Sequence, residues 1–136
     1  MLLTTALTCL ALNIYYEGRG ESELGKKIIA QTTLNRAKEE HNNVCSEVLK
    51  PNQFSWVNSR VNGRKLNLRA RPKENDESWQ TCQTIAKKAL NGSLSVPTKY
   101  RNVTHFHNPR VKPSWTRNMI SLGRVDGHYY YQAKQP

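Results

Sequence analysis

The stretch Tyr15-Tyr16-Glu17-Gly18-Arg19-Gly20-Glu21 constrains the fold more than any other part of the chain. An apolar segment, Leu2 to Ile14, runs directly into a carboxylate, and two glycines then break the pattern. Glycine ends helices because it reaches φ > 0 at little steric cost. The pattern predicts a buried helix that carries Glu17 at its C-terminal end, where the chain opens into a turn. A carboxyl group placed there lies beside apolar side chains and at the negative end of the helix dipole. Both surroundings disfavour its ionised form. A carboxyl that keeps its proton near neutrality is suited to general acid work. On these seven residues alone, a surface glutamate ahead of a glycine cap is the stronger reading; the remainder of the chain shifts the balance.

Ser22 is the N-cap of a second predicted helix that runs to about Glu40, with Leu24, Ile28, Thr32 and the Leu34 to Ala37 pair on its buried face. A short helix follows around Val44 to Leu49 and is stopped by Pro51. A fourth runs from Asn75 or Asp76 to Leu90, with Trp79, Cys82, Ile85, Ala86, Ala89 and Leu90 spaced by three and four. Acidic residues open that helix, Lys87 and Lys88 lie in its last turn, and Asn91-Gly92 closes it. The last third is extended and rich in turns: Val103 to His107 reads as a strand, and Gly127-His128-Tyr129-Tyr130-Tyr131 as a closing strand. Asn62-Gly63 signals a hairpin whose flanks are too basic for a buried sheet.

The 136 residues suit one domain with a single core, here residues 1–136. Twenty-one Lys and Arg against ten Asp and Glu give a net charge of +11, which implies an anionic partner. Six of the basic residues fall between Arg60 and Lys73, as either a solvated loop or a basic flap. Nucleic acid would satisfy the charge but would leave Glu17 and its glycine turn without a purpose. Three cysteines match neither a zinc pattern nor a dense disulfide framework. Cys9 reads as a small core residue, a Cys45–Cys82 bridge lacks support, and a reducing cytosol would keep all three as thiols. The apolar N-terminal stretch lacks a basic leader and is too short to span a bilayer, so it is expected to be retained as a core helix, with no signal peptide or transmembrane segment. His105 and His107 could share one face of a strand, yet no third ligand accompanies them, so neither a metal nor another cofactor is expected.

Glu17-Gly18-Arg19-Gly20-Glu21, with Gly25 and Thr33-Leu34-Asn35-Arg36, resembles the opening of the SleB-type cell wall hydrolases, a family that includes spore cortex-lytic enzymes and phage endolysins. Further blocks follow in the family's order: Pro51-Asn52-Gln53-Phe54-Ser55, Ala89-Leu90-Asn91-Gly92, Thr104-His105-Phe106-His107-Asn108-Pro109, Pro113-Ser114-Trp115 and Gly127-His128-Tyr129-Tyr130-Tyr131. Gly18 stands where the family usually has Ala, which should loosen the turn after Glu17. The chain's brevity resembles a compact phage endolysin.

The resemblance implies a mainly helical, lysozyme-like α+β domain with short strands or a small hairpin and a cleft for glycan strands. It implies cleavage of the β-1,4 bond between N-acetylmuramic acid and N-acetylglucosamine, with Glu17 as acid and base. Glu21 is the candidate second carboxylate. If it does not reach the cleft, the sugar's own 6-hydroxyl attacks, as in a lytic transglycosylase; a hydrolytic muramidase is the alternative. Gln53, Ser55, His107 and Asn108 are the polar candidates for substrate contact, and Phe54, Trp56, Tyr100 and Trp115 the stacking ones. Arg19 would hold Glu21 or meet a lactyl carboxylate. The implied partners are peptidoglycan strands and the anionic cell envelope, met by a monomer that stays in the host cytoplasm until released.

Overall fold

The computed structural model describes residues 5–40, 42–50, 53–54, 56–57, 61–62, 65–66 and 71–134. Its first helix, α1 (Ala6–Glu17), starts at Thr5, whose side chain accepts a hydrogen bond from the Thr8 amide. Seven successive residues, Cys9 to Tyr15, are buried. A helix that is apolar on all sides belongs inside a core, and α1 packs against α2 (Glu23–Glu39), α3 (Val44–Val48) and α4 (Glu77–Leu90). Leu10, Leu12 and Ile14 of α1 meet Ile28, Ile29, Val48, Trp79 and Ile85 in one cluster. Asn13, a polar side chain of α1 buried among them, donates to Thr33 Oγ1 (3.0 Å) and accepts from Trp56 Nε1 (2.9 Å), so its burial leaves its amide satisfied.

The other helices begin where their caps predict. Ser22 accepts from Gly25 N, Asn43 from Ser46 N and Asp76 from Trp79 N. On α2 the buried set is Gly25, Ile28, Ile29, Ala30, Thr32, Thr33 and Ala37, while Leu24, expected on that face, is exposed. Leu90, the last residue of α4, is exposed as well.

Two short strands, β1 (Val61–Asn62) and β2 (Lys65–Leu66), pair antiparallel around the Asn62-Gly63 signal. The rest of the basic stretch from Arg60 to Lys73 lies largely outside the described residues. A larger antiparallel sheet has the order β3 (His105–His107), β5 (His128–Ala133), β4 (Met119–Val125). β4 was not foreseen from the sequence. Its signal is Asp126-Gly127, a two-residue hairpin turn in which Asp126 takes φ 51°. Asp126 also accepts from the amide (2.9 Å) and hydroxyl (2.5 Å) of Ser22, which docks the hairpin on the start of α2.

The turn after Glu17 has a different construction from the one expected. Gly18 takes φ −97°, an ordinary value, and Gly20 supplies the positive φ of 77°. Gly18 is required for space instead: a Cβ there would sit 2.6 Å from the Ile14 carbonyl oxygen. The turn is therefore close-fitting where a loosened one was anticipated.

The cysteines also pair differently. Cys9 on α1 and Cys45 on α3 face each other with Cα atoms 5.3 Å apart and form a disulfide, leaving Cys82 as a buried thiol on α4. The neglected pairing follows from topology, since α3 lies against α1 while Cys82 is buried on the inner face of α4. Closing a loop of 36 residues restricts the unfolded chain. Reduction of the bridge is expected to lower the unfolding free energy by about 2–4 kcal/mol. Urea midpoints with and without reductant check this; coincident midpoints would contradict it.

Candidate functional site

A cleft of ≈ 340 Å³ opens where the end of α1 meets α2 and the edge strand β3. Glu17 contributes its carboxyl, α2 adds Thr32 and Arg36, and the segment after α3 adds Gln53 and Phe54. Thr104, His105 and Phe106 line the far wall with Trp115. Thr32 and Arg36 are four residues apart, one helical turn, which is why both point the same way. Asn35 fastens α2 to the approach to β3 by donating to the carbonyls of Arg101 (2.9 Å) and Val103 (2.7 Å).

The electrostatics of Glu17 are simple. Burial alone pushes its pKa from an ordinary 4.5 up to about 7. Among the described residues no hydrogen bond or ion pair reaches its carboxyl group. Desolvation without compensation favours the neutral acid.

Two other carboxylates that could have shared the work are committed elsewhere. Glu21 accepts from Gly127 N (3.2 and 3.1 Å) and pairs with His128 Nδ1 (2.6 Å), clamping the turn to the β4–β5 hairpin. Glu47 is fully buried; it pairs with Arg36 Nε (3.4 Å), accepts from Asn42 Nδ2 (3.4 Å) and accepts from the Gln53 amide. Arg36 in turn donates to Gln53 Oε1 (2.8 Å) and to the Thr104 carbonyl (3.4 Å). The guanidinium and the Gln53 amide are thus fixed in the cleft wall by a carboxylate beneath it.

His105 completes the wall as a neutral ring. Burial, with the Arg36 charge as a lesser cause, pushes its pKa down to about 4. Thr104 Oγ1 accepts from Ala133 N (3.1 Å) and is hydrogen-bonded to His105 Nδ1 (2.9 Å), which fixes the ring's orientation.

Of the residues expected at the site, the structure brings together Glu17, Gln53, Phe54 and Trp115. It does not bring in the others that it describes. Trp56 is buried, stacked on Tyr16 and bonded to Asn13, and Tyr100 is buried against Tyr130. Arg19 lies over the Tyr15 ring, 5.1 Å from its centroid, and does not hold Glu21. Asn108 is exposed and accepts from Arg110 N (2.9 Å), while His107 bonds to the Tyr131 hydroxyl (2.9 Å). Ser55 lies outside the described residues. Sequence reasoning passed over Thr32, Arg36, Glu47, Thr104, His105 and Phe106 as site residues. The helical spacing of Thr32 and Arg36 would have found two of them; the partners of Glu47 come together only in three dimensions.

The family described as Cell Wall Hydrolase matches residues 20–131, a span that begins just after Glu17. No curated protein sequence matches the chain. Two solved structures are similar. The catalytic domain of the germination-specific lytic transglycosylase SleB from Bacillus anthracis has a TM-score of 0.69 and 23% identity, covering 93% of each chain. The catalytic domain of the Bacillus cereus SleB protein has a TM-score of 0.67 and 24% identity, covering 93% of this chain and 90% of that one. The likeness is one of fold: mainly helical with a small antiparallel sheet.

The raised pKa of Glu17 has a stability consequence. The unfolded carboxyl ionises near 4.5 and the folded one near 7, so stability is lost as pH rises across that window. Glu17→Gln removes the penalty. It is expected to stabilise the fold by up to about 3 kcal/mol at pH above the window and by little below it. Denaturant titrations at both ends test this; equal effects at the two pH values would contradict it.

Proposed function

The chain belongs to the cell wall hydrolase family, and we propose that it cleaves the β-1,4 bond between N-acetylmuramic acid and N-acetylglucosamine as a lytic transglycosylase. The observation that carries this reading is Glu17, the one carboxyl group among the described residues that line the cleft, with a pKa of about 7. A protonated Glu17 donates to the glycosidic oxygen, and the N-acetylglucosamine side leaves with that proton as its 4-hydroxyl. Positive charge develops at the anomeric carbon of the muramic sugar. The Glu17 carboxylate so formed takes the proton of that sugar's 6-hydroxyl as its oxygen bonds to the anomeric carbon. The product carries a 1,6-anhydro end, and Glu17 is again protonated.

Two-carboxylate glycosidases place a second acid group as nucleophile or as base for a water. Glu21 and Glu47 are each held by other partners, which supports the intramolecular route over hydrolysis. His105 is neutral at pH 7, so it adds no competing charge to the cleft. Arg36 and the Gln53 amide, fixed by Glu47, provide polar groups for sugar substituents, with Phe54, Phe106 and Trp115 as apolar surface. The SleB domain from Bacillus anthracis is itself described as a lytic transglycosylase. The net charge of +11 suits the carboxylates of peptidoglycan stems and the phosphates of envelopes, in keeping with an endolysin that acts on the wall after release from the host cytoplasm.

Glu17→Gln keeps the shape and removes the acid. It is expected to lower the rate of sacculus clearing by at least about a hundredfold, the low end of general acid catalysis. In the native enzyme kcat/KM should fall as pH rises through about 7, where the acid loses its proton. Mass spectrometry of the digest should show anhydro ends. Reducing ends would establish a muramidase, and full clearing by the Gln variant would remove Glu17 from the chemistry.

A further inference from the structure

The β3–β5–β4 sheet has two faces of opposite character. Tyr130 and its partner Phe106 face the helices, and Tyr130 is fully buried. Tyr129 and Tyr131 alternate onto the outer face, directly across from His107 and His105. These four rings are only half-buried, and Trp115 closes over them with its centroid 5.0 Å from His105, 5.7 Å from His107 and 5.3 Å from Tyr131. His107 stacks on Tyr131 at 5.3 Å and lies 5.6 Å from Tyr129.

Arg124 joins this face through an irregularity in β4. Between Ser121 and Gly123 the register shifts: Ser121 pairs with Tyr131 and Gly123 with Tyr130. The extra residue, with Gly123 at φ 90°, restores the outer face for Arg124, whose guanidinium lies 5.5 Å over the Tyr129 ring. Without the bulge Arg124 would face the helices.

Rings that served only the core would be covered. This row is partly open and ends in an exposed guanidinium, and at its other end His105 and Trp115 also line the cleft. Aromatic rings of this kind offer flat apolar surface with polar tips, the chemistry that accepts the apolar face of a pyranose and its hydroxyls. We infer that the outer face of the sheet continues the cleft and binds further sugar units of a polymeric amino-sugar strand, along Trp115, His107, Tyr131, Tyr129 and Arg124. From Tyr131 to Tyr129 the row advances about 7 Å along the strand. The inference rests on the glycan reading of the cleft and extends it to a strand longer than the cleft holds.

The test uses the Glu17→Gln enzyme and β-1,4-linked N-acetylglucosamine as disaccharide and hexasaccharide, with affinities from calorimetry. The hexasaccharide is expected to bind more tightly than the disaccharide. Tyr129→Ala and Arg124→Ala are each expected to lower hexasaccharide affinity by about threefold to tenfold more than disaccharide affinity. Tyr129→Phe, which keeps the ring, should retain most of the length preference. Equal affinity for the two lengths, or equal losses on both, would overturn the inference. If the native enzyme leaves sacculi intact while the length preference and its loss in Tyr129→Ala persist, the catalytic reading fails and the glycan surface stands.

Discussion

A carboxyl group removed from water, with no partner among the described residues, is the interaction on which this structure depends. Glu17 ends a helix whose preceding turns are buried, and desolvation alone raises its pKa to about 7. The surroundings of α1 maintain that condition. The disulfide to α3, the core contacts with α2 and α4, and the close-fitting Gly18 turn all fix where the helix ends. The Glu21 clamp then holds the chain leaving the turn against the β4–β5 hairpin. A looser turn would let water reach Glu17, and its pKa would return towards the ordinary carboxylate range.

Around that neutral acid, two neighbouring carboxylates are each held by partners of their own. Glu47 lies under the cleft wall and fixes Arg36 and Gln53; Glu21 is matched by His128 and a backbone amide. His105, close to Arg36, is kept neutral. Among the described residues, the cleft thus presents Glu17 as a group able to exchange a proton near neutrality, together with polar groups whose orientation is set from behind. Such an arrangement lowers stability at the acid itself and gains a proton donor there, a familiar exchange at active sites.

Much of the helical frame was legible because its signals are local. Ser22 and Asp76 cap their helices, the three-and-four spacing from Trp79 to Ala89 buries α4 against α1, and Glu17 stands where the apolar run ends. The cleft itself was only partly legible. Gln53, Phe54 and Trp115 came from resemblance, whereas Trp56 and Tyr100, chosen for the same aromatic chemistry, are core residues. Residue type cannot separate a ring that lines a cleft from one that fills a core, and burial does not either, since Phe54 is as buried as Trp56; position at the cleft edge decides. Glu47 and the Cys9–Cys45 bridge escaped notice because their partners are distant in sequence and meet only once α3 has packed. The β4 strand was hidden by its bulge, which interrupts the two-residue alternation around Gly123.

The most direct measurement follows the Glu17 side-chain carboxyl carbon by NMR through a pH titration, assigned by its absence in Glu17→Gln. A midpoint near 7 would establish a carboxyl group in the cleft that keeps its proton through the range where ordinary carboxylates are ionised. A midpoint near 4.5 would mean an ionised carboxylate there, and the proton on which the proposed chemistry turns would be missing.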